Sequence, residues 1–546
     1  MSSTLYRNGA VHASTDPFAE ALLVTDGTVA WIGADDTAAG LADQADEVVD
    51  LDGALVAPAF VDAHVHVLET GLALDGLDLS AAGGVRSLPE ALDAVRRAAQ
   101  ARPAGAADEP LLGFGWDETA WPEGRAPSAS ELDAAAGGAP VYLARVDVHS
   151  AVVSSSLARH AGLEGLRGWD EAGLVTLDAH HAAREVARDV TPGRRTALYR
   201  LALRHAAAHG VVALHEMSAP SVDTREGLVE LLATTADPGS GLPLVVGYRA
   251  EACVTVDDAR ALLIAIPGLT GIGGDLNVDG SLGSRTAALR APYADRPDGS
   301  GVLMLTAEQV ANHVAAVTRA GVHAAFHVIG DRGMDEVLLG IRAATEVEGL
   351  PVIAGAGHRL EHAEMVDAPT LAALVLLGLR VSAQPAFDAA WGGPHGMYAA
   401  RLGAGRAAAL NPLADLAAAG VPLALGSDSP VTPVDPWGGV RAAVEHTAPD
   451  QRISARAAFR AATRGGWRLA GLDHTGAGEL RVGAPAHLAV WRSENLTVQP
   501  GQGRLTAWSA EARAGQPLLP DLSGDVPPPV CLRTVRAGVT LHDTLS

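Results

Sequence analysis

The pattern of apolar and polar positions changes twice along the chain and divides it into three zones. Residues 1–56 consist of short apolar or alternating runs that are interrupted by Gly, Asp and Asn, which is typical of short β-strands joined by turns. The last zone has the same pattern in HLAVWRS, RLTAWSAEA and CLRTVRAGVTLHD. We therefore predict that residues 1–56 and 476–546 together form one small β-sandwich domain.

Between these ends, short apolar runs alternate with helical stretches that are rich in Ala, Leu and Arg. Such alternation predicts parallel strands connected by helices, and eight strands indicate a (β/α)8 TIM barrel over residues 57–475. An open doubly wound sheet is the alternative, but no G-x-G-x-x-G loop follows the first run. The predicted strands are 59–66, 211–217, 242–250, 274–280, 322–328, 358–363, 379–385 and 422–428.

The interval between the first and second predicted strands breaks this alternation. It holds about 140 residues with apolar runs of its own, which is too long for a connection between a strand and a helix. We therefore predict an inserted subdomain over the barrel mouth, at about residues 72–208. Its Trp116 and Trp121, with Trp391 from the barrel, either line a pocket for an apolar or aromatic group or serve only as packing residues.

Composition restricts the chemistry. All 40 basic residues among the 546 are arginine, so a Schiff-base lysine, a phosphate-loop lysine and a carbamylated lysine are excluded. The 64 acidic residues give a net charge of −24, which makes nucleic acid and anionic membrane surfaces poor partners. Two cysteines cannot form a thiolate metal cluster, and neither a secretory signal nor a membrane-spanning run is evident, so we expect a soluble cytoplasmic protein.

Histidine is more informative, because several of the 20 histidines fall where predicted strands end. His64 and His66 are two residues apart at the end of the first strand, so both side chains point into the barrel. An H-x-H pair alone is weak evidence, since it arises readily by chance. His327, His362 and Asp428 fall at the ends of strands five, six and eight, the end where barrel enzymes hold catalytic groups. Together these side chains suit a divalent ion such as zinc, although any single histidine is more often a cap or a buried hydrogen-bond partner.

These motifs resemble those of a known family. The runs VAPAFVDAHVHVLETG, VDGSLGSRTAALRAPYAD, FHVIGDRGMDEVL, RLEHAEMV and LGSDSPVTPVDPWGGV are similar to the amidohydrolase superfamily, and within it to amidohydrolase family 3, the YtcJ-like metal-dependent hydrolases. The insertion stretch GFGWDETAWPEGRAPSASELDAAAGGAPVYLARVDVHSAVV is similar to a segment peculiar to this family. The resemblance extends over most of the chain, and it is far more specific than the H-x-H pair.

The resemblance implies roles for individual residues. It implies that His64, His66, His327 and His362 are metal ligands and that Asp428 is a ligand that also moves a proton. His149 and Arg285 match positions near the substrate in such enzymes. The alternatives are a capped loop within the insertion for His149 and an ion pair with a carboxylate for Arg285.

Two departures from the family pattern bear on the number of metal ions. Asp275 stands where the superfamily often has a lysine that is carbamylated to bridge two metals, and aspartate is several bonds shorter. Leu177 stands where family members often carry an acidic residue, with Asp178 beside it. We therefore expect one ion per chain rather than two, with His362 as a further ligand or as a donor to the substrate. The ligands expected for this ion are His64, His66, His327 and Asp428.

The function implied is hydrolysis of a non-peptide C–N bond, in an amide or N-acyl group of a small molecule, by water that the metal activates. Asp428 would take the proton of that water and return it to the leaving nitrogen, while His362, His327 or Arg285 would stabilise the developing oxyanion. Deamination of a heterocycle or amidine at one metal is the alternative, and a non-catalytic scaffold is less favoured because all five ligands are present. Whether the chain forms a homo-oligomer is left open. Candidate partners of the ligands are Asp62, Glu361 and Asp331.

Overall fold

The computed structural model describes residues 2–103, 109–498 and 516–545. Within these ranges, eight strands form one sheet in which each strand is parallel to the next in the chain. A parallel bridge between Val65 and Ser429 joins the first strand to the segment after the last, so the predicted (β/α)8 barrel is confirmed. The strands are β1 (Phe60–Val65), β2 (Val211–Ser218), β3 (Leu244–Arg249), β4 (Leu269–Ile272), β5 (His323–Val328), β6 (Arg359–His362), β7 (Arg380–Ala383) and β8 (Leu423–Leu425).

The helix Ala307–Arg319 illustrates how the sequence produces the outer layer of the barrel. Thr306 and Gln309 form a capping box at its start, which contributes about 1 kcal/mol. Val310, Val314 and Val317 recur on one face and are fully buried, so that face packs on the barrel. The other helices after β2 are Arg225–Ala236, Val256–Ala265, Asp331–Glu348, Leu350–Ala356, Ala368–Leu376, Pro385–Trp391, Met397–Leu402, Ala404–Ala407, Leu413–Ala418, Pro436–Val444, Ala455–Arg460 and Gly466–Leu469, with short 3-10 turns at Pro238–Ser240, Pro449–Gln451 and Asp473–Thr475 and a π-helical turn at Ala461–Gly465.

The two ends of the chain form the predicted β-sandwich. One described sheet comes from the N-terminal segment alone, and a second combines Leu55–Pro58 with strands from the C-terminal segment. Their inward side chains share one core, in which Leu22 packs with Val490 and Leu532. The predicted run RLTAWSAEA at 504–512 lies outside the described residues, and the exact domain boundaries stay a prediction. The strands are Ser3–Arg7, Ala21–Thr25, Thr28–Gly33 and Glu47–Asp50 in the first sheet, Ala10–Val11, Leu55–Pro58, Leu488–Arg492, Val530–Arg536 and Val539–Asp543 in the second, and Leu496–Thr497 with Leu519–Pro520 in a separate pair; a short helix Asp35–Ala38 and a 3-10 turn Ala39–Gln44 precede Glu47–Asp50.

The insertion between β1 and β2 is a subdomain with its own five-stranded sheet in the described residues. Trp116 and Trp121 are buried in the separate core of this subdomain, and the Trp116 indole donates a hydrogen bond to the carbonyl of Leu143. The two tryptophans therefore serve in packing within this core. The strands are Leu77–Asp78, Leu111–Trp116, Val141–Arg145, Ser150–Val153 and Leu174–Thr176; the helices are Val67–Asp75, Leu88–Ala101, Ala129–Ala136, Ser155–His160, Leu177–Ala187 and Pro192–Ala208, with a 3-10 turn at Glu118–Ala120.

The fourth strand is where the sequence prediction was wrong. The alternating run at 274–280 predicted a continuous strand there, but β4 ends at Ile272, and beyond the glycines the chain pairs with β5 only through an isolated bridge between Asn277 and His327. Gly273 and Gly274 have φ of +129° and +89°, and a Cβ on Gly273 would lie 1.9 Å from the carbonyl oxygen of Ala325. Only glycine fits that close approach. This break lies directly before Asp275, whose carboxylate faces His64 and His66.

The other seven strands lie within a few residues of their predicted positions. No helix in the described ranges is both long and apolar enough to cross a membrane.

Candidate metal centre

His64 and His66 extend from β1 into the carboxyl end of the barrel, and both are buried. The His64 Nδ1 donates to Glu361 Oε2 at 2.9 Å, and the His66 Nδ1 donates to the carbonyl of Met217 at 3.1 Å. A hydrogen bond at Nδ1 fixes the tautomer that leaves Nε2 as a lone-pair donor. The Nε2 of His64 has no hydrogen-bond partner among the described residues, as expected for a metal ligand.

Two aspartates face these Nε2 atoms. Asp428 Oδ1 lies 3.4 Å from His64 Nε2 and 3.2 Å from His66 Nε2. Asp275 Oδ1 lies 3.5 Å from His64 Nε2, and its Oδ2 lies 3.2 Å from His66 Nε2. Asp428 has a left-handed φ of +54°, and its backbone N–H donates to the carbonyl of His64. This contact between β1 and the segment after β8 holds the carboxylate over the two imidazoles.

His327 and His362 complete the cluster from β5 and β6. The His327 Nδ1 lies 3.7 Å from Asp275 Oδ1, and the rings of His327 and His362 are 4.5 Å apart. His362 has a left-handed φ of +69°, which ends β6, and its Nδ1 donates to Gln384 Oε1 at 2.8 Å. The turn at His362 allows two adjacent residues to serve the site, because Glu361 supports His64 while His362 faces the cluster.

Six side chains from the described part of the chain therefore meet at one place, and they form three overlapping groups whose ligand atoms lie within 4.8 Å of one another. Asp275 belongs to two of the groups. Asp275 Oδ2 lies 3.2 Å from His66 Nε2 and its Oδ1 lies 3.7 Å from His327 Nδ1, so its short side chain faces ligands of both groups, and the number of metal ions stays a prediction. The groups are His64, His66 and Asp275; His64, His362 and Asp428; and Asp275, His327 and His362.

The donor set fits a divalent metal. Imidazole nitrogens and carboxylate oxygens are the ligands that zinc takes, usually four at a time. Burial would lower the pKa of His66, but Asp275 and Asp428 outweigh it and raise that pKa to about 9. Burial would raise the pKa of Asp275, but His66 and His327 hold it well below its usual value. The carboxylates thus favour positive charge at the cluster, which protons or a metal ion supply.

The apparent affinity for metal is expected to rise with pH until His66 has lost its proton. The pKa of His66 is raised from 6.5 to about 9, so a metal ion displaces a bound proton at any pH below about 9. Between about pH 6.5 and about pH 9, the affinity should increase roughly tenfold per pH unit for each proton released. Competition against a chromogenic chelator across this range measures it. An affinity that is constant with pH would contradict the arrangement.

Beneath the cluster lies a buried support that the sequence prediction did not include. Arg359 donates to both oxygens of Glu361, to the carbonyl of Ala63 and to His215, and its guanidinium lies 4.8 Å from the Tyr248 ring centroid. Arg359 and Glu361 are fully buried, so the carboxylate that supports His64 is neutralised by a fixed cation. The alternation in RLEH, which puts residues 359 and 361 on one face of β6, was the available signal.

The other two candidate partners have different roles. Asp62 accepts from the N–H and the hydroxyl of Ser427 and from the backbone N–H of His64, so it ties β1 to the segment after β8. Burial raises its pKa to about 6. Asp331 accepts from the backbone N–H groups of Arg290 and Arg332, away from the ligand imidazoles, so the expectation for Asp331 is corrected.

Two cavities in the described residues reach the cluster from different sides. The first, of about 30 Å³, adjoins His327, His362 and Asp428, and its other walls include Phe387, Trp391, Met397 and Tyr398. The second, of about 280 Å³, adjoins His66 and Asp275. Its outer wall comes from the insertion, through the helix Leu177–Ala187. Trp391 therefore lines the site, as one of the two sequence interpretations had it.

Of the two residues predicted near the substrate, His149 lies at the site and Arg285 does not. His149 lines both cavities, and its ring centroid lies 5.2 Å from that of His327. Burial lowers the pKa of His149 to about 4, so its imidazole is neutral near pH 7. Arg285 lines neither cavity, and it pairs with Asp295 at 2.7 Å. The ion pair, which was the alternative for Arg285, is what the structure contains.

The structure is a parallel eight-stranded barrel with four histidines and two aspartates at the carboxyl ends of its strands. This arrangement is typical of metal-dependent barrel hydrolases. The sequence model of the amidohydrolase family matches residues 47–542, and the chain belongs to that family.

Known proteins agree with this assignment. The chain is 26% identical to the putative amidohydrolase YtcJ of Bacillus subtilis (strain 168) over 422 residues, covering 73% of this chain and 74% of that protein. It is 25% identical to the N-substituted formamide deformylase of Arthrobacter pascens over 532 residues, covering 89% and 92%. A crystal structure of an uncharacterized metal-dependent hydrolase from Pyrococcus furiosus superposes with a TM-score of 0.68 at 28% identity, covering 89% of this chain and 98% of the other. The predicted resemblance is confirmed, and membership supports hydrolysis at a divalent metal centre.

Proposed function

We propose that this protein hydrolyses a non-peptide C–N bond, in an amide or N-acyl group of a small molecule. The observation that carries the proposal is the cluster of four imidazoles and two carboxylates, with a cavity on either side of it. Its similarity to an N-substituted formamide deformylase, over 89% of the chain, supports the choice of bond. The reaction adds water across the C–N bond, so a carboxylic acid and an amine leave.

Zinc is the proposed metal, and we propose two ions per chain. Six donors exceed the usual four ligands of one zinc, and Asp275 shares its carboxylate between two of the groups. One ion would be held by His64, His66 and Asp428 and the other by His327 and His362, with Asp275 common to both. This replaces the sequence expectation of one ion, whose premise was the short side chain of Asp275.

A divalent ion at this cluster supplies two effects, a lowered pKa for water and polarisation of a carbonyl oxygen. The chain's own residues do the rest. Asp428 would hold the ion through one carboxylate oxygen, and its other oxygen would accept a proton from the attacking water and donate it to the departing nitrogen. Its backbone hydrogen bond to His64 holds it in place for both transfers. The neutral His149, beside His327, can donate an N–H hydrogen bond to the developing oxyanion. The inserted subdomain covers the site and limits access of bulk water.

The cysteines support a cytoplasmic location for this reaction. Cys253 and Cys531 are both buried, and neither forms a disulfide. Unpaired thiols of this kind suit a reducing compartment.

The test is a substrate panel with zinc-loaded protein. N-formyl amines, N-acetyl amines, N-acyl amino acids and primary amides are incubated with it, and acid and amine products are separated by chromatography. Equal release of acid and amine from at least one class supports the proposal. Ammonia release from amidines or aminoheterocycles alone would favour the deaminase instead. No turnover of any compound by protein that retains its metal would contradict hydrolysis of this bond.

A further inference from the structure

The larger cavity is walled on one side by a single helix face. Leu177, His181 and Arg184 all line it, and their spacing of four and three residues puts them on the same side of the helix Leu177–Ala187. His66 and Asp275 also line this cavity. A molecule in it can therefore contact both the metal cluster and the insertion helix.

Arg184 belongs to a buried cluster with an excess of positive charge. Arg184 and Arg188 both pair with Glu69 Oε1, and all three side chains are at least nine-tenths buried. Among the described residues, neither arginine has a second carboxylate within ion-pair distance. Two cations thus share one anion in a region from which water is largely excluded. Such an imbalance destabilises the folded protein unless another anion compensates it.

The two arginines differ in their surroundings, although both have buried nitrogens without a hydrogen-bond partner among the described residues, including Nε and Nη2 of Arg188. The Arg188 guanidinium lies 5.8 Å from the Phe114 ring centroid and 5.5 Å from that of Tyr142, so two aromatic faces share its charge. Arg184 lines the cavity, and its Nε is buried without a hydrogen-bond partner among the described residues. Asp275 and Asp428 are the nearby carboxylates, but they are committed to the metal cluster. Of the two arginines, only Arg184 lines this cavity, so Arg184 is the one that a ligand can reach.

We propose that Arg184 binds a carboxylate of the substrate in the larger cavity. This deepens the proposed function and rests on it, because it makes N-acyl compounds that carry a free carboxylate, such as N-acyl amino acids, the preferred substrate class. The planar guanidinium suits a carboxylate, and the low-dielectric surroundings strengthen the pairing. A neutral N-acyl amine of equal size would leave the buried charge of Arg184 uncompensated.

The experiment uses ligands that cannot be hydrolysed. Succinate, glutarate and adipate carry two carboxylates at increasing separation, whereas butyrate carries one. Each is titrated by calorimetry into metal-loaded wild-type protein and into Arg184→Gln, with Arg167→Gln, an exposed arginine of the same subdomain, as the matched control. We expect at least one dicarboxylate to bind wild type about tenfold or more tightly than butyrate, and Arg184→Gln to abolish that advantage. Arg167→Gln should bind like wild type.

Arg184→Gln removes a buried ion pair and can lower stability, so a second variant tests the same claim. His181 is exposed at the edge of the cavity, three residues before Arg184, so His181→Glu offers the guanidinium an internal carboxylate. Dicarboxylate binding should weaken in His181→Glu and stay unchanged in Ala172→Glu, which adds the same charge at another exposed position.

Equal affinity for glutarate and butyrate in wild type, or an advantage that survives both variants, would overturn the role of Arg184. Neither result would change the turnover seen in the substrate panel or the metal content of the protein. A failure of the proposed function would instead appear as missing turnover or missing metal.

Discussion

Asp428→Asn is expected to retain its metal and to lose about a thousandfold in kcat. The asparagine keeps an oxygen near His64 Nε2 and His66 Nε2, where Asp428 Oδ1 lies at 3.4 Å and 3.2 Å, so the ligand set stays nearly complete. The amide cannot accept the proton of the attacking water, nor return one to the leaving nitrogen. Steady-state rates on a substrate found in the panel, together with metal content by elemental analysis, measure both parts of the prediction.

Asp435→Asn is the matched control. Asp435 caps the helix Pro436–Val444, and asparagine caps a helix equally well. This variant should have wild-type rates and metal content. If Asp428→Asn were as active as Asp435→Asn, Asp428 would not be the residue that moves the proton.

His66→Ala is expected to lose bound metal and all measurable turnover. His66 Nε2 lies 3.2 Å from both Asp275 Oδ2 and Asp428 Oδ1, so this imidazole is common to both carboxylates at the cluster. Removal of an outer partner of a ligand typically lowers metal affinity or activity about 10–100-fold, and removal of the ligand itself should cost more. Elemental analysis after dialysis and the rate on the same substrate are the readouts.

His160→Ala serves as the control for His66→Ala, because His160 is exposed at the end of the helix Ser155–His160. Circular dichroism of both variants checks that the fold persists. Wild-type metal content in a folded His66→Ala protein would exclude His66 as a ligand.

The barrel and most of the candidate cluster could be predicted from the sequence because both depend on local periodicity. His64 and His66 alternate on one strand, and His327 and His362 stand at or near the ends of two others. The polar residue at the end of each such strand marks the rim of the barrel. No long-range information was needed to bring these residues to one edge of the sheet.

The position of Asp275 could not be predicted in this way. Its surroundings alternate like a strand, and the decisive constraint is the approach of Gly273 to the Ala325 carbonyl of the neighbouring strand. That contact is between residues far apart in the chain, so no local pattern records it. The consequence is chemical, because the break lies directly before Asp275, whose carboxylate faces His64, His66 and His327.

The sequence also could not predict which partner a polar side chain binds when several partners are available. Arg285 and Arg184 look alike in a chain with 40 arginines, yet one pairs with Asp295 and the other lines the larger cavity. The same holds for Arg359, whose support of Glu361 depends on burial beneath the cluster. Which carboxylate an arginine meets is decided by tertiary packing.

Elemental analysis of the purified wild-type protein beside Asp275→Asn tests whether the cluster binds two divalent ions that share Asp275. Asp275 is the one carboxylate shared by two of the ligand groups, so the account predicts close to two divalent ions per wild-type chain and close to one in the variant. A single ion in both proteins would contradict the shared carboxylate. A wild-type protein that takes up no divalent metal would contradict the metal centre itself.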